Sequence, residues 1–185
     1  MEIRIYFEGN RTLKTGFDRF FASLKETARQ RGSSIEAVAA KDGISAYRKA
    51  ARTHPSAWNI LLKDSEMPVP ADRRVLCNQH GIDSSHVDDV FWMVELMESW
   101  FLAHPEVLEG YYSLPAGTIR RTADVEQIRK SDVERRLKDA TRNTSKGEYR
   151  KVKHAPFLLE GLDADQVQAR ASHCRRLFES VKQRL

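Results

Sequence analysis

Apolar positions in the first part of the chain fall in two alternating rhythms. Ile3-Arg4-Ile5-Tyr6-Phe7 is a short β-branched and aromatic run, and it predicts a buried strand. Leu13, Phe17, Phe20, Phe21, Leu24 and Ala28 follow at helical spacing, one stripe of a helix that Gly32 ends. Ser34–Ala40 alternates weakly and predicts a second strand. Ile44, Tyr47 and Ala51 share one face of a helix over Gly43–His54, which Pro55 closes. Trp58–Lys63 predicts a third strand. Pro68, Pro70 and the polar residues up to His86 predict a long loop, of a length that is often functional or mobile. Val90–Val94 is a fourth apolar run, and it merges into a helix over Glu95–His104.

From there on the pattern is helical: Pro105–Tyr112, Lys130–Thr141, His154–Leu162 and Ala164–Lys182, with loops over Ser113–Gln127 and Arg142–Lys153. Strand–helix alternation followed by helices predicts an α/β fold. Its core, residues 1–112, is a mostly parallel sheet of about four strands flanked by helices. A helical C-terminal extension, residues 113–185, packs on that core. The exposed apolar face of a tail helix would suit a homodimer. No internal repeat or low-complexity stretch interrupts the pattern.

Composition narrows the class. Hydrophobic residues at 41% and charged residues at 31% suit a soluble globular domain. A chain of 185 residues buries roughly 70% of its unfolded surface and needs no covalent staples. Cys77 and Cys174 have no metal-ligand spacing, which predicts a reduced, cytoplasmic setting. No basic segment followed by an apolar core is visible at the start, and no apolar run is long enough to span a bilayer, so no membrane partner is expected. The net charge of +5 is unevenly spread. Residues 1–117 hold 14 Lys+Arg against 16 Asp+Glu, whereas residues 118–185 hold 17 against 10. That split suits a polyanion such as nucleic acid held against a cation-dependent centre; a solvated basic face without a partner is the plain alternative.

Candidate chemistry sits where two of the strands end. Glu8-Gly9 follows the first predicted strand, and Asp64-Ser65-Glu66 follows the third. Ligands of parallel α/β sheets bind beyond the carboxyl ends of the strands. Residues two apart in an extended segment point the same way, which predicts that Asp64 and Glu66 converge. Mg²⁺ (or Mn²⁺) takes oxygen ligands and keeps several waters, so two or three carboxylates suffice. A bound cation would also relieve their mutual repulsion. Capping or turn-fixing roles are the alternative for each carboxylate. Glu95 and Glu98 share one face of the predicted helix; Glu98 is a candidate fourth ligand, and a favourable helix-end charge is the other reading. Trp92, Trp100 and Phe101 are read as core. Lys146, Tyr149, Arg150, Lys151, Lys153 and His154 form the strongest basic cluster, ahead of a helix. Backbone N–H groups at such a start, together with lysines, suit phosphate. Lys146, Arg150, Lys151, Lys153 and His154 are therefore candidate nucleic-acid contacts, with Lys153 the choice for charge stabilisation at the scissile phosphate. His154 could act as a general acid or base, but a lone histidine is more often structural.

Phe7-Glu8-Gly9 after one strand and Asp64-Ser65-Glu66 after another resemble the acidic pattern of Toprim domains, shared by topoisomerases, primases and nucleases of the overcoming-lysogenization-defect class. The whole chain more closely resembles a small bacterial family, domain of unknown function 4276. That resemblance rests also on Leu61-Leu62-Lys63, on Met97-Glu98-Ser99-Trp100-Phe101-Leu102-Ala103, and on Lys146-Gly147-Glu148-Tyr149 running to Lys153-His154-Ala155. It implies a Toprim-like (Rossmann-like) fold in which Glu8, Asp64 and Glu66 are catalytic metal ligands for Mg²⁺-dependent hydrolysis of phosphodiesters. It further implies a role as an anti-phage defence effector beside an ATPase partner, or else a non-catalytic subunit of an ATPase-containing complex. Two positions depart from the Toprim pattern: Glu66 stands where Asp is usual, and Lys63 where an apolar residue is commoner.

Overall fold

The computed structural model describes residues 1–185. Its centre is one all-parallel sheet of four strands: β1 (Glu2–Glu8), β2 (Ser34–Ala40), β3 (Trp58–Asp64) and β4 (Val90–Met93), in spatial order β2-β1-β3-β4. Parallel neighbours need crossover connections. Helices α1 (Lys14–Phe20) and α2 (Ala22–Gln30) make the first, α3 (Gly43–Thr53) the second and α4 (Arg73–Gln79) the third. After β4 the chain is helical: α5 (Ser99–Ala103), α6 (Pro105–Tyr112), α7 (Lys130–Thr141), α8 (Lys151–Gly161), α9 (Ala164–Arg170) and α10 (Ser172–Arg184). The fold is α/β, with helices on both faces of the sheet. None of these helices is long and apolar enough to cross a membrane.

Strand alternation divides the interior into two cores. Ile5, Phe7, Ile60, Leu62, Phe91 and Met93 point to one face and join a 39-residue apolar cluster. Tyr6, Leu61, Val90 and Trp92 point to the other and join a cluster of only 10, beneath α3 and α4. The larger cluster is large because the C-terminal helices supply half its wall: Leu158, Leu159, Leu177, Phe178 and Val181 are all fully buried in it. Trp100 stacks on Phe20 at 4.8 Å between ring centroids, and Phe178 meets Phe20 edge-on at 5.6 Å. Gly16 permits the close approach of α8 to α1, since a Cβ there would lie 2.8 Å from Cβ and Cγ of Leu159.

Several elements differ from the sequence expectation, each for a local reason. The stripe over residues 13–28 is two helices, because the backbone turns at Phe21 (φ −90°, ψ 10°). The expected loop over 68–86 contains α4, capped by Asp72 and buried only through Leu76 and Cys77, too few apolar positions to register as a stripe. The helix expected over Glu95–His104 shrinks to α5. Glu95 O accepts from Glu66 N–H (2.9 Å) and Met97 N–H donates to Asp64 Oδ1 (2.7 Å), which holds this stretch against the end of β3. The last helix breaks at Ala171, where the backbone is extended. There Glu126, buried, accepts hydrogen bonds from Ser172 Oγ (2.7 Å) and His173 N–H (2.9 Å), so a side chain from another element starts α10.

Candidate active site

The carboxyl ends of β3 and β4, with the starts of α7 and α8, enclose a cleft of about 570 Å³. Asp64, Glu66, Glu98, Lys130, Arg150 and Lys151 line it, with Leu96, Glu134, Lys138, Glu148 and Tyr149 completing the wall. Asp64 is the last residue of β3 and its side chain is 16% exposed. Glu98, just before α5, is 4% exposed. The two carboxylates meet at a single positive group. Lys151 Nζ lies 3.4 Å from Asp64 Oδ2 and 3.2 Å from Glu98 Oε2. Tyr149 Oη donates to Glu98 Oε1 (3.2 Å).

The electrostatics follow from burial. Burial, reinforced by the nearby Glu98 and Glu66 carboxylates and only partly offset by Lys151, pushes the Asp64 carboxyl up to about 6. Burial works against the Lys151 charge, but Asp64 and Glu98 outweigh it and hold the ammonium above its ordinary range. The Tyr149 hydroxyl is pushed well up, by burial first and by Glu98 second, so it stays a donor.

Glu66 reaches this cleft by a route that alternation did not foresee. It is not a continuation of the strand: its φ is +62°, in the left-handed region that non-glycine residues rarely adopt. Ser65 N–H and Glu66 N–H bond to Met93 O and Glu95 O, which fixes the turn. The Glu66 carboxylate then pairs with Lys130 at the start of α7. A non-glycine residue held in that conformation is the kind of backbone strain that gathers at functional sites.

Glu8 stands apart from the other proposed ligands, which corrects the expected Glu8–Asp64–Glu66 convergence. Its parity along β1 is that of Tyr6, on the face beneath α3, and its partner Lys63 shares the parity of Leu61. Asp64, one residue on, faces the opposite side with Leu62. No group of three His, Cys, Asp or Glu side chains is close enough to hold a metal ion by itself. Asp64 and Glu98 alone converge on one cation position, now taken by the Lys151 ammonium. A divalent cation fits that donor set as two carboxylates completed by water, the manner in which Mg²⁺ usually binds.

The basic cluster also sorts differently from the expectation. Arg150 and Lys151 line the cleft; Lys146 and Lys153 do not. Lys153, two residues on, is exposed on the opposite side of α8, so the cation beside the buried carboxylates is Lys151. His154 is corrected from nucleic-acid contact to structural cap. It is 1% exposed, its Nδ1 accepts from Arg150 N–H (2.9 Å), and its ring packs among Tyr111, Tyr112 and Tyr149. Burial and the neighbouring Lys153, Arg150 and Lys146 charges lower its pKa, so the ring is neutral. Glu95, too, is structural: Lys130 N–H (2.8 Å) and Arg129 bond to it at the start of α7. Lys130 was not singled out from sequence. It lies 64 residues from Glu66, and no local pattern joins them.

The fold and the site together define an α/β chain with two buried carboxylates around one lysine at the carboxyl ends of a parallel sheet. The chain belongs to the family described as Domain of unknown function (DUF4276), whose model matches residues 10–182. No curated protein and no solved structure matches it.

Proposed function

We propose that this is a Toprim-like, Mg²⁺-dependent nuclease-type hydrolase of nucleic-acid phosphodiesters, with Asp64 and Glu98 as the principal metal carboxylates, Glu66 beside them, and Glu8 outside the site. The observation that supports it best is the convergence of two buried carboxylates, from β3 and from the start of α5, on one cation position in a cleft rimmed by Lys130, Lys138 and Arg150. A bound Mg²⁺ would polarise a phosphoryl oxygen and acidify water there. The protein's own groups divide the remaining work. Lys130, Lys138 and Arg150 attract and orient the phosphate backbone. Lys151 can turn from its carboxylates to a phosphoryl oxygen once another cation neutralises them. The same reading carries the cytoplasmic setting and the role in anti-phage defence beside an ATPase.

A second reading is a non-catalytic subunit of an ATPase-containing complex. One observation favours it: lysines already neutralise each carboxylate, Lys63 at Glu8, Lys130 at Glu66, and Lys151 at Asp64 and Glu98. Incubation of the purified protein with supercoiled DNA and with tRNA, in Mg²⁺ or Mn²⁺, separates the two. Cleavage lost in Asp64→Ala supports the hydrolase. Binding without cleavage, unchanged by that substitution, supports the subunit.

A further inference from the structure

We propose that the outer face of α8, together with Tyr111 of α6, is a stacking platform for an unpaired base of single-stranded nucleic acid, whose backbone continues into the Asp64–Glu98 cleft. This rests on the nucleic-acid reading above and adds its substrate class.

Phe157 carries the argument. It is 59% exposed, whereas the other seven phenylalanines are at most 2% exposed. Its ring is nonetheless held in place: it lies nearly parallel to Tyr111, with 5.9 Å between centroids and 17° between planes. Lys146 Nζ lies 5.0 Å from the Tyr111 centroid, so a cation borders the aromatic pair. Lys153 precedes Phe157 by four residues and therefore shares its face of the helix. Residues 146–157 hold four Lys+Arg against one Glu. Unlike Lys151, the residues Lys146, Arg150 and Lys153 form no salt bridge, which leaves three cations free for a polyanion.

Charge complementarity selects nucleic acid as the occupant, and the exposed ring selects its form. In a duplex, neighbouring bases cover each base face, so only phosphate contacts remain. A single strand offers free faces, and stacking on aromatic rings beside a basic track is how such strands are bound without sequence preference. The platform and the cleft share one segment of chain, since Arg150 and Lys151, about two turns before Phe157, line the cleft.

The test is run in EDTA, so that no cleavage and no metal enter. A fluorescein-labelled 12-nucleotide strand, a copy carrying 2-aminopurine, and the matching duplex are titrated with the protein. The single strand is expected to bind more tightly than the duplex, with 2-aminopurine emission quenched on binding. Phe157→Ala is expected to weaken single-strand binding by roughly tenfold while leaving duplex binding unchanged, and Phe157→Trp to retain it. Lys153→Ala is expected to lower the salt dependence by about 0.7 in log–log slope. Equal affinity for duplex, unquenched 2-aminopurine, or a Phe157→Ala protein that binds like the parent overturns the platform, the last outcome leaving Phe157 to a protein partner. Phe157-dependent single-strand binding in EDTA, together with no Asp64-dependent cleavage in a separate incubation with Mg²⁺ or Mn²⁺, would instead overturn the hydrolase reading alone.

Discussion

Glu8 and Asp64 close adjacent parallel strands, yet they belong to different environments. Glu8 is 46% exposed and pairs with Lys63 over the smaller core. Asp64 is 16% exposed on the larger-core face, where it shares Lys151 with the nearly inaccessible Glu98. The difference comes from the pleat: the register sets Phe7 beside Leu62, so Glu8 falls beside Lys63 and Asp64 points the other way. At Glu8 the carboxylate is half exposed and its lysine is the covered partner, whereas at Asp64 and Glu98 both carboxylates are covered and their shared lysine is half exposed, so burial shifts the Asp64 carboxyl. The buried carboxylates at the end of this sheet are therefore all on one side.

The sharpest way to break the comparison is to neutralise each carboxylate in turn. Asp64→Asn is expected to reduce metal-dependent cleavage by about a hundredfold or more, and Glu8→Gln to leave it within a few-fold. Equal losses would restore Glu8 to the site. Next in size is a pH effect. The Asp64 carboxyl sits at about 6 in the folded protein, above about 3.9 in an unfolded chain. The folded state thus binds more protons between those values, and this carboxyl's contribution to stability falls as pH rises from about 4 to 6. Asp64→Asn should flatten that part of the urea-midpoint profile and stabilise the protein at pH 7.5 by on the order of 2 kcal/mol. Glu8→Gln should leave the profile's shape unchanged.

Lys151→Met strips the cation from two buried carboxylates. Since Lys151 is itself half exposed, the expected loss is about 1–2 kcal/mol, less than for a fully buried pair. Millimolar Mn²⁺ should restore most of it by occupying the same position. Lys63→Met should lose less than about 1 kcal/mol and gain nothing from Mn²⁺. The smallest effect compares the two faces by one substitution. Gly16→Ala forces a Cβ against Leu159 and should destabilise by about 1 kcal/mol after the gain in helix propensity. Gly43→Ala, whose Cβ would meet Leu61 Cδ1 at 3.3 Å and Glu8 N at 3.4 Å, contacts looser than those at Gly16, should change stability by less than about 0.5 kcal/mol. Chemical denaturation reads both.

Three strands were legible in the sequence as compact β-branched or aromatic runs, Ser34–Ala40 by its weak alternation, and Lys130–Thr141 by its regular apolar spacing. Elements ruled by long-range contacts were not. The Phe21 break, the short α4 and the truncation before α5 depend on partners far along the chain. The site was legible in part for the same reason. Asp64, Glu66, Glu98, Arg150 and Lys151 stood out as charged residues beside strand or helix ends, and they do line one cleft. The separation of Glu8 needed the strand register, which one sequence does not contain. His154 resembled a functional histidine because its sequence neighbours are basic; only three-dimensional packing among three tyrosines shows it as a cap. Lys130 reaches Glu66 across 64 residues and leaves no local mark.

Mn²⁺ binding followed by electron paramagnetic resonance, in the parent protein and in Asp64→Asn, Glu98→Gln and Glu8→Gln, addresses the proposed cation site most directly. The account predicts a bound Mn²⁺ at pH 7.5 that weakens below about pH 6, as Asp64 takes its proton. It predicts at least about tenfold weaker binding in Asp64→Asn and Glu98→Gln, and unchanged binding in Glu8→Gln. No bound Mn²⁺ in the parent, or a Glu8→Gln protein that loses it as fully as Asp64→Asn, would contradict it.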